Sequence, residues 1–278
     1  MKIGLIAGGG DLPEAVIQAA KEAGHDIFLA VIKGAAELER FSAQGQTFGI
    51  AEFGKMTRAF RKNDCTHICF AGKVDRPDFK TLKPDLKGLR KLPGAIKAAK
   101  EGDDSLLKYV VETFEKDGFE IVSPQAICKD LLMPEGHLGT VRLNKEHRDD
   151  TEKACKTAQA IGELDIGQGA VVCRGLVLAV EAQEGTDAML DRIAALSDNI
   201  RGDEKGRAGV LAKMVKPGQE ERVDLPTIGL STVEKAAKAG LAGIAVEAGR
   251  CFVMDRHEVV AAANEAGLFI IGIPPENP

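Results

Sequence analysis

The sequence predicts an α/β protein built from two domains. Its 278 residues exceed the length that one hydrophobic core usually serves. In the first half, short apolar runs alternate with amphipathic helical patterns, which is typical of a parallel sheet. In the second half, the apolar runs Ala170–Cys173 and Leu176–Val180 are separated by Arg174-Gly175, the length of a tight antiparallel turn. We therefore expect an N-terminal open parallel sheet resembling a mononucleotide-binding fold and a C-terminal mixed α/β domain.

The first half begins with a predicted strand–helix–strand unit. Lys2–Ala7 is an apolar run that predicts a buried strand, and Gly8–Gly10 follow it. Asp11, Pro13 and Glu14 form an N-terminal capping pattern for a helix from Leu12 to Ala23. The remaining predicted elements of this half are the strands Asp26–Ile32, Thr47–Ile50, Thr66–Ala71 and Phe119–Val122, the helix Gly54–Lys62, and two helical segments within Leu89–Lys116 separated by Gly102–Ser105.

A change of composition at Pro134–His137 is interpreted as a linker, so we divide the chain into domains 1–134 and 135–278. Both apolar runs of the predicted hairpin are expected to be buried. The other predicted elements of the second half are the helices Lys145–Ile161, Asp187–Leu196 and His257–Ala266, a helix that begins with the capping box Ser231–Glu234, the strands Val210–Lys213, Ile244–Val246, Cys251–Met254 and Leu268–Ile273, and the segment Val223–Leu230.

Composition argues against several classes of protein. A net charge of −5, no Trp and a single Tyr are unfavourable for nucleic-acid binding. No apolar run is long enough to span a bilayer, and no signal peptide is recognised. The six cysteines include no CxxC pair, which favours a reduced, cytoplasmic protein. Cys65, His67 and Cys69 alternate along one strand like a weak metal motif, but buried thiols beside a surface histidine are the favoured interpretation.

The glycine turn after the first strand is a candidate phosphate site. Backbone N–H groups of Gly9, Gly10 and Asp11 would face an anion at a helix N-terminus. A dinucleotide site is disfavoured, because Pro13 interrupts the G-x-G-x-x-G pattern and Lys33 stands where an acid would hold a ribose. A tight turn without a ligand remains an alternative.

A second candidate is the loop after the strand Thr66–Ala71. Lys73 and Arg76 would neutralise a pyrophosphate at the carboxyl end of that strand, with Val74 and Asp75 between them. Ordinary surface charges are the alternative interpretation. Lys100, together with Asp103 in the Gly102–Ser105 turn, is a weaker candidate for phosphate contact.

Several acids of the second half point to a hard cation. Glu181 ends an apolar strand, and Glu184 and Asp187 follow it within one short loop. Asp224 lies among apolar neighbours, where an isolated carboxylate is costly unless it is paired, protonated or bound to a metal. These four residues are the candidate ligands of Mg²⁺. The alternatives are that Thr186 or Asp187 caps the next helix, and that Asp224 is an exposed turn acid before Pro226.

Six blocks of sequence carry a family resemblance: GLIAGGGDLP (Gly4–Pro13), FAGKVDRPDF (Phe70–Phe79), GDDSLL (Gly102–Leu107), DIGQGAVVC (Asp165–Cys173), LAVEAQEGTDAML (Leu178–Leu190) and RVDLPTIG (Arg222–Gly229). Through these blocks, over essentially its whole length, the chain resembles the UDP-2,3-diacylglucosamine pyrophosphatase family of lipid A synthesis, in the form unrelated to calcineurin-like metallophosphoesterases.

The resemblance implies Mg²⁺-assisted hydrolysis of UDP-2,3-diacylglucosamine to UMP and 2,3-diacylglucosamine 1-phosphate (lipid X). Water would attack the sugar-side phosphorus. Asp224 corresponds to the catalytic aspartate of the family. A homodimer and two domains that close over the substrate are also implied. The expected substrate-binding residues are Gly9, Gly10, Asp11, Lys73, Val74, Asp75, Arg76, Lys100, Asp103, Gln168, Thr186 and Lys213.

A diacylated substrate lies in a membrane. We therefore expect a cytoplasmic protein that makes a shallow, reversible contact with the inner membrane surface. An apolar cleft, expected between the domains, would shelter the acyl chains, since about ten methylenes contribute on the order of 8 kcal/mol. The rival interpretations are an oxidoreductase with a nucleotide cofactor and a non-catalytic carrier of a nucleotide sugar or lipid.

Overall fold

A computed structural model of the chain describes residues 1–275. The chain forms two compact units: the first is Met1–Lys129 together with Glu220–Asp224, and the second is Asp130–Gln219 together with the residues from Leu225 onward. The sequence analysis assigned all of residues 135–278 to the second domain. In the structure, the segment Glu220–Asp224 packs with the first unit instead. We call this segment the strap. No helix within residues 1–275 has both the length and the apolar composition needed to cross a bilayer.

The first unit contains an open parallel sheet of five strands, which confirms the predicted fold class. The spatial order is β3-β2-β1-β4-β5, and each neighbouring pair is parallel. Because β2 and β4 flank β1 on opposite sides, a crevice opens at the carboxyl ends of β1 and β4. The strands are β1 (Lys2–Ala7), β2 (Asp26–Ile32), β3 (Gly45–Phe48), β4 (His67–Ala71) and β5 (Glu120–Ile121).

Helices cover both faces of this sheet and bury an aromatic core. The Phe60 ring centroid lies 6.4 Å from that of Phe114 and 6.1 Å from that of Phe119, and all three side chains are buried. The predicted break between two helices is reduced to Gly102, whose φ of 133° interrupts the helical path, and Asp103 already begins the next helix. The helices are α1 (Leu12–Glu22), α2 (Phe53–Lys62), α3 (Leu86–Glu101), α4 (Asp103–Glu115) and the short, unpredicted α5 (Pro124–Ile127).

The capping pattern predicted for α1 is wrong, although the helix itself is confirmed. The Asp11 side chain makes no capping hydrogen bond and instead pairs with Arg40. The Glu14 carboxylate accepts hydrogen bonds from the backbone N–H of Ser42 (3.1 Å) and from the Ser42 hydroxyl (2.6 Å). Both acids therefore anchor the loop before β3, because distant donors compete successfully with the N-terminal N–H groups of the helix.

The second unit contains a mixed sheet in the order β6-β13-β11-β9-β7-β8. The strands β9, β11 and β13 are parallel to one another, while β6, β7 and β8 run antiparallel to their neighbours. The strands are β6 (Gly136–Leu138), β7 (Gly169–Cys173), β8 (Leu176–Val180), β9 (Val210–Lys213), β10 (Thr227–Ile228), β11 (Gly243–Glu247), β12 (Phe252–Val253) and β13 (Phe269–Ile273), and β10 and β12 form a separate parallel pair. The helices are α6 (Arg148–Glu163), α7 (Gly185–Ala194), α8 (Leu230–Lys238) and α9 (Arg256–Ala266).

The predicted hairpin is confirmed as β7 and β8, but β8 is not fully buried. It is the edge strand of the sheet, and Leu176 and Val177 are 62% and 44% exposed. Two residues of the linker predicted at Pro134–His137, Gly136 and His137, lie in β6, which pairs with β13. This segment forms the other edge strand of the sheet, and its composition alone does not predict a strand.

Two predicted helix starts in this unit also differ from the structure. The helix α7 begins at Gly185, so Thr186 and Asp187 lie in its first turn and neither side chain caps it. The helix α8 begins at Leu230, and its cap is Gly229, whose N–H lies 3.4 Å from the Thr232 hydroxyl. Ser231 is not part of a capping box because its hydroxyl binds the Asp187 carboxylate instead, at 3.0 Å.

The cysteines of the alternating Cys65-His67-Cys69 pattern are buried, as favoured from the sequence. Burial raises the pKa of Cys65 to about 11 and raises the pKa of Cys69 further. His67 is half-buried, and its Nε2 lies 3.2 Å from the Glu120 carboxylate. All six cysteines are free thiols.

Candidate functional site

The crevice of the first unit is formed by the loops that follow β1 and β4. The two loops are joined by backbone hydrogen bonds, since Gly9 N–H donates to the Lys73 carbonyl (2.8 Å) and Lys73 N–H donates to the Gly9 carbonyl (2.9 Å). A side chain at Gly8 would place its Cβ 2.4 Å from the Lys73 oxygen, so only glycine permits this approach. The predicted phosphate loop and the predicted basic loop therefore form one structural feature.

The backbone donors that remain in this crevice are fewer than the sequence predicts. The N–H groups of Gly8 and Gly9 already bind the carbonyls of Ala71 and Lys73. Within residues 1–275, no acceptor binds the N–H groups of Gly10, Asp11 and Leu12, at the positive end of the α1 dipole. Gly10 has a φ of 85°, which turns the chain into the helix. These three donors, at the N-terminus of a helix, are suited to an anion.

The basic side chains of the second loop are already paired. Arg76 donates to the Asp103 carboxylate (2.9 Å) and to the Ala99 carbonyl, at the junction of α3 and α4. Lys73 lies 3.1 Å from the Asp75 carboxylate, and both side chains are almost fully exposed. Val74 and Lys100 are also exposed. Lys73 is thus available to an incoming anion, whereas Arg76 holds the loop against the two helices.

An apolar cavity of about 250 Å³ lies within the first unit, behind this loop. Residues from the sheet (Ile6 and Phe70), from α2 (Met56) and from α4 (Leu106 and Phe114) contribute to its wall. Among the lining residues, Val74, Asp75 and Arg76 are exposed, whereas the others are buried or half-buried. The cavity therefore opens beside the basic loop.

Asp224 is carried by the strap, which is bound to the first unit by polar contacts. Glu220 N–H donates to the Asp104 carboxylate (2.8 Å), and the Gln125 side chain donates to the Glu221 carbonyl (2.7 Å). Arg222 donates to the Glu115 carboxylate on α4 (2.7 Å). The N–H of Asp224 closes a turn on the Glu220 carbonyl (3.2 Å).

The electrostatics of the strap follow from its internal Arg222–Glu220 pair. Arg222 binds both oxygens of the Glu220 carboxylate at 2.8 Å. This hydrogen bonding lowers the pKa of Glu220 and raises that of Arg222. Asp224 itself is half-buried, while Leu225 and Pro226 after it are buried. The predicted catalytic acid thus lies on a short segment whose conformation is set by charged neighbours.

In the second unit, several polar residues lie together at one end of the sheet, where the strand β9 ends and the strand β7 begins. The register pairs Lys213 at the end of β9 with Gly169 at the start of β7 and with Val246 near the end of β11. Glu181 follows β8 at the same edge, because Val180 pairs with Ala170. The sequence analysis named Glu181 and Lys213 separately, as a candidate metal ligand and a candidate substrate-binding residue, and the antiparallel hairpin brings both to the same ends of the strands.

Glu181 is buried, with only 6% of its surface exposed. Its Oε1 accepts a hydrogen bond from the Thr186 hydroxyl (2.9 Å), whereas no donor within residues 1–275 binds its Oε2. The Oε1 of Gln168, beside the start of β7, is a second buried acceptor without a donor in the same part of the chain. Lys213 is also buried, and its ammonium group donates to the Thr227 carbonyl (3.0 Å). Buried polar atoms normally have hydrogen-bond partners, so the two acceptor atoms Glu181 Oε2 and Gln168 Oε1 could bind a ligand or an ion.

Glu184 and Asp187 are engaged by protein groups rather than directed at a common point. Arg192 binds the Glu184 carboxylate, and the Ser231 hydroxyl binds that of Asp187. Within residues 1–275, no group of three His, Cys, Asp or Glu side chains is arranged to hold a metal ion. The acids of this unit therefore do not fit a preformed cation site, and the four-carboxylate ligand set stays a prediction.

Three charged residues, one in the second unit and two in the first, were not singled out from the sequence. Glu247 ends β11, is 4% exposed, and its carboxylate lies 2.7 Å from Arg250. Glu247, like Glu181, is an acid at which an apolar strand stops, so the same sequence pattern could have identified it. Arg222 and Glu115 lie far apart in the sequence, and no local pattern indicates that they form a pair.

Comparison with known proteins identifies the family. Residues 2–131 match the LpxI N-terminal domain, and residues 134–271 match the LpxI C-terminal domain. The chain belongs to the LpxI family. UDP-2,3-diacylglucosamine pyrophosphatase LpxI of Caulobacter vibrioides is 52% identical to it over 275 residues, which cover 99% of this chain and 98% of the relative. The family resemblance predicted from the sequence is confirmed.

Two solved structures with a detectable similarity to this LpxI family member are both distant from it. UDP-glucose 4-epimerase of Thermotoga maritima is 14% identical, with a TM-score of 0.28 over 51% of this chain and 41% of the epimerase. CobK precorrin-6A reductase is 8% identical, with a TM-score of 0.34 over 100% of this chain and 90% of the reductase. These scores are too low to support a conclusion about function.

Proposed function

We propose that the protein hydrolyses UDP-2,3-diacylglucosamine to UMP and lipid X in lipid A synthesis. The observation that carries the proposal is the 52% identity, over 99% of the chain, to the LpxI pyrophosphatase of Caulobacter vibrioides. Two features of the first unit are consistent with such a substrate. The N–H groups of Gly10–Leu12, at the N-terminus of α1, suit a phosphate, and the apolar cavity suits part of a lipid.

Asp224 is proposed as the catalytic carboxylate. Its carboxylate would orient the water that attacks the sugar-side phosphorus, and the bond from this phosphorus to the bridging oxygen would break, so that UMP leaves with that oxygen. The support comes from the position of Asp224 on a segment with fixed backbone turns, because a catalytic carboxylate acts only when it is held in place. Lys73 is the proposed phosphate-binding cation of the same unit, since it is exposed beside the glycine turn.

We also propose that the reaction depends on Mg²⁺, with Asp224, Glu181, Glu184 and Asp187 as its candidate oxygen ligands. Bound Mg²⁺ would supply positive charge to the phosphoanhydride oxygens. The support is restricted to Glu181, whose buried Oε2 has no donor within residues 1–275. Glu184 and Asp187 would first have to release Arg192 and Ser231. Titration calorimetry of the protein and of Glu181→Gln with Mg²⁺ alone tests this, with weaker binding expected for the variant.

A lipid substrate also requires access to a membrane, and the outer face of α3 supports a proposed contact. Leu86 and Leu89 are 71% and 57% exposed on the first turns of this helix. Arg90, Lys97 and Lys100 follow on the same exposed stripe, at helical spacing. We expect this face to bind the anionic surface of the inner membrane from the cytoplasm, with the leucines entering the headgroup region. The homodimer implied by the family resemblance is likewise a proposal, which light scattering tests.

The experiment that tests the proposed reaction uses oxygen-18 water. The purified protein is incubated with UDP-2,3-diacylglucosamine, with and without Mg²⁺, and the products are analysed by mass spectrometry. We expect UMP and lipid X only when Mg²⁺ is present, with the label in the phosphate of lipid X. Label in UMP would refute the proposed site of attack, and an absence of both products would refute the hydrolase.

A further inference from the structure

Two consecutive aspartates, Asp103 and Asp104, begin the helix α4. Both lie in its first turn, directly after Gly102, whose φ of 133° separates α4 from α3. The positive end of the helix dipole favours carboxylates at these positions, but it does not determine what the side chains bind. In the structure, each of the two carboxylates binds a different segment of the first unit.

Asp104 binds the strap at its first residue. Its Oδ1 accepts a hydrogen bond from the Glu220 N–H (2.8 Å), and its Oδ2 lies 2.6 Å from the ammonium group of Lys108, one turn further along α4. Both oxygens have a partner, so the orientation of the carboxylate is fixed, and only 22% of the side chain is exposed. A hydrogen bond from a backbone N–H to an ionised carboxylate is about twice as strong as a neutral one.

Glu220 connects this hydrogen bond to Asp224. The N–H of Glu220 is bound by Asp104, and its carbonyl accepts the N–H groups of Val223 (3.0 Å) and Asp224 (3.2 Å). The helix α4 is thus joined to the turn that carries the proposed catalytic carboxylate through the backbone of one residue. A displacement of that turn by about 1 Å would be sufficient to lower the rate on the order of 100-fold.

Asp103 binds the other part of the proposed site. Its carboxylate accepts a hydrogen bond from Arg76 (2.9 Å), which lies three residues after Lys73 in the loop that follows β4. Lys73 is the proposed phosphate-binding cation, and its backbone is joined to that of Gly9. The first turn of α4 therefore binds the loop of Lys73 through one aspartate and the strap through the next.

We propose that Asp104 is a positioning residue for the reaction, which holds Asp224 in place through the backbone of Glu220 and does not touch the substrate. This inference rests on the proposed function for the role of Asp224. Loss of Asp104 should lower kcat, because the catalytic carboxylate is displaced. Loss of Asp103 should instead raise KM, because the loop that binds the substrate phosphate is no longer held.

The experiment compares Asp104→Ala, which removes the acceptor, with Asp104→Asn, which keeps an oxygen at the same position and removes the charge. Glu112→Ala is the matched control, because Glu112 also pairs with a lysine one turn further along α4 (2.8 Å), rather than with the strap. The values of kcat and KM are measured on UDP-2,3-diacylglucosamine with Mg²⁺. Hydrogen exchange of the Glu220 and Asp224 amides is measured on the same variants without substrate.

For Asp104→Ala we expect kcat to fall about 10- to 100-fold, the range for loss of a hydrogen bond to a charged group, with KM within about threefold of wild type. Exchange of both amides should accelerate by a similar factor. Asp104→Asn should have a kcat at least about fivefold above that of Asp104→Ala, because its side-chain oxygen still accepts the Glu220 N–H. Asp103→Ala should raise KM about tenfold with little change in kcat, and Glu112→Ala should change neither.

Equal losses of kcat in Asp104→Ala and Asp104→Asn would overturn the inference, because the charge and not the hydrogen bond would then be responsible. Unchanged exchange of the Glu220 amide in Asp104→Ala, or a raised KM with an unchanged kcat, would overturn it as well. If Asp104→Ala does not fold, Asp104→Ser decides by the same measurements, since serine is favoured at helix starts and its side chain is one atom shorter.

Hydrogen exchange separates this inference from the proposed function. Accelerated exchange in Asp104→Ala, together with no hydrolysis by the wild-type protein, would refute the hydrolase and still support the hold of Asp104 on the strap. Hydrolysis by the wild-type protein with the same kcat in Asp104→Ala would leave the hydrolase intact and refute the positioning role.

Discussion

Replacement of Arg222 by Ala tests whether the strap holds Asp224 in place. Arg222 binds Glu115 on α4 at 2.7 Å and both oxygens of Glu220 at 2.8 Å. The pair with Glu115 is partly exposed, at 43% and 38%, so its contribution is only about 0.2–1 kcal/mol. Glu220 is 15% exposed and would lose its charged partner, which costs about 1–3 kcal/mol. We therefore expect the strap to be destabilised by about 2 kcal/mol.

This free energy corresponds to a change of about 30-fold in the equilibrium between a bound and a detached strap. Hydrogen exchange of the amides of Glu220 and Asp224, which are hydrogen-bonded in the structure, should accelerate by up to that factor. We expect kcat to fall by up to the same factor while KM for the substrate changes little, because Asp224 is proposed to act on the reaction rather than on binding.

Arg61→Ala is the matched control for this prediction. Arg61 is also an arginine of the first unit, and its side chain donates to the Asp117 carbonyl at 2.8 Å rather than to the strap. It should leave both exchange and kcat within twofold of the wild-type values. If Arg222→Ala accelerates exchange of the strap without lowering kcat, the position of Asp224 does not depend on the strap. If exchange is unchanged, the contacts of Arg222 do not stabilise it.

Further predictions concern pH and the membrane. Hydrogen bonding to Arg222 lowers the pKa of Glu220 below its ordinary 4.5, so its contribution to stability is present above that value and is lost as the pH falls through the lowered pKa. Glu220→Gln should therefore unfold at lower urea concentration than wild type at pH 7, and the difference should vanish at strongly acidic pH. Leu86→Ser combined with Leu89→Ser should weaken co-sedimentation with vesicles containing anionic lipid at least tenfold, since each leucine is expected to contribute about 1.5–3 kcal/mol. Val177→Ser, at an exposed position of the second unit, is the control and should leave co-sedimentation with these vesicles unchanged. An equal loss of vesicle binding in both variants would contradict a specific role of α3.

The parts of the fold that the sequence predicts well are those with local causes. The apolar run Lys2–Ala7, the glycines after it and the stripe of α1 each lie within a few residues, so strand, turn and helix follow directly. Glu181 was singled out because an apolar strand stops at it, and in the structure it follows β8 with 6% of its surface exposed. The capping of α1 failed because Asp11 and Glu14 bind Arg40 and Ser42, which lie about 30 residues away.

Features that depend on distant contacts could not be predicted in the same way. The strap belongs to the first unit because Glu220, Glu221 and Arg222 bind Asp104, Gln125 and Glu115, which are 116, 96 and 107 residues away. The cavity is lined by residues between Ile6 and Phe114, and its buried apolar members each resemble an ordinary core position in the sequence. Likewise, the exposure of Leu176 is set by the position of β8 at the sheet edge, which is a property of strand order.

The catalytic role of Asp224 is tested most directly by Asp224→Asn, which keeps the size of the side chain and removes its charge. Turnover of UDP-2,3-diacylglucosamine in the presence of Mg²⁺ is measured by phosphorus NMR, alongside the affinity for the intact substrate. We predict a fall in kcat of at least a thousandfold, in the range seen when a catalytic group is removed, with substrate affinity within a few fold of wild type. A variant that still releases UMP and lipid X at a rate within tenfold of wild type would contradict the account.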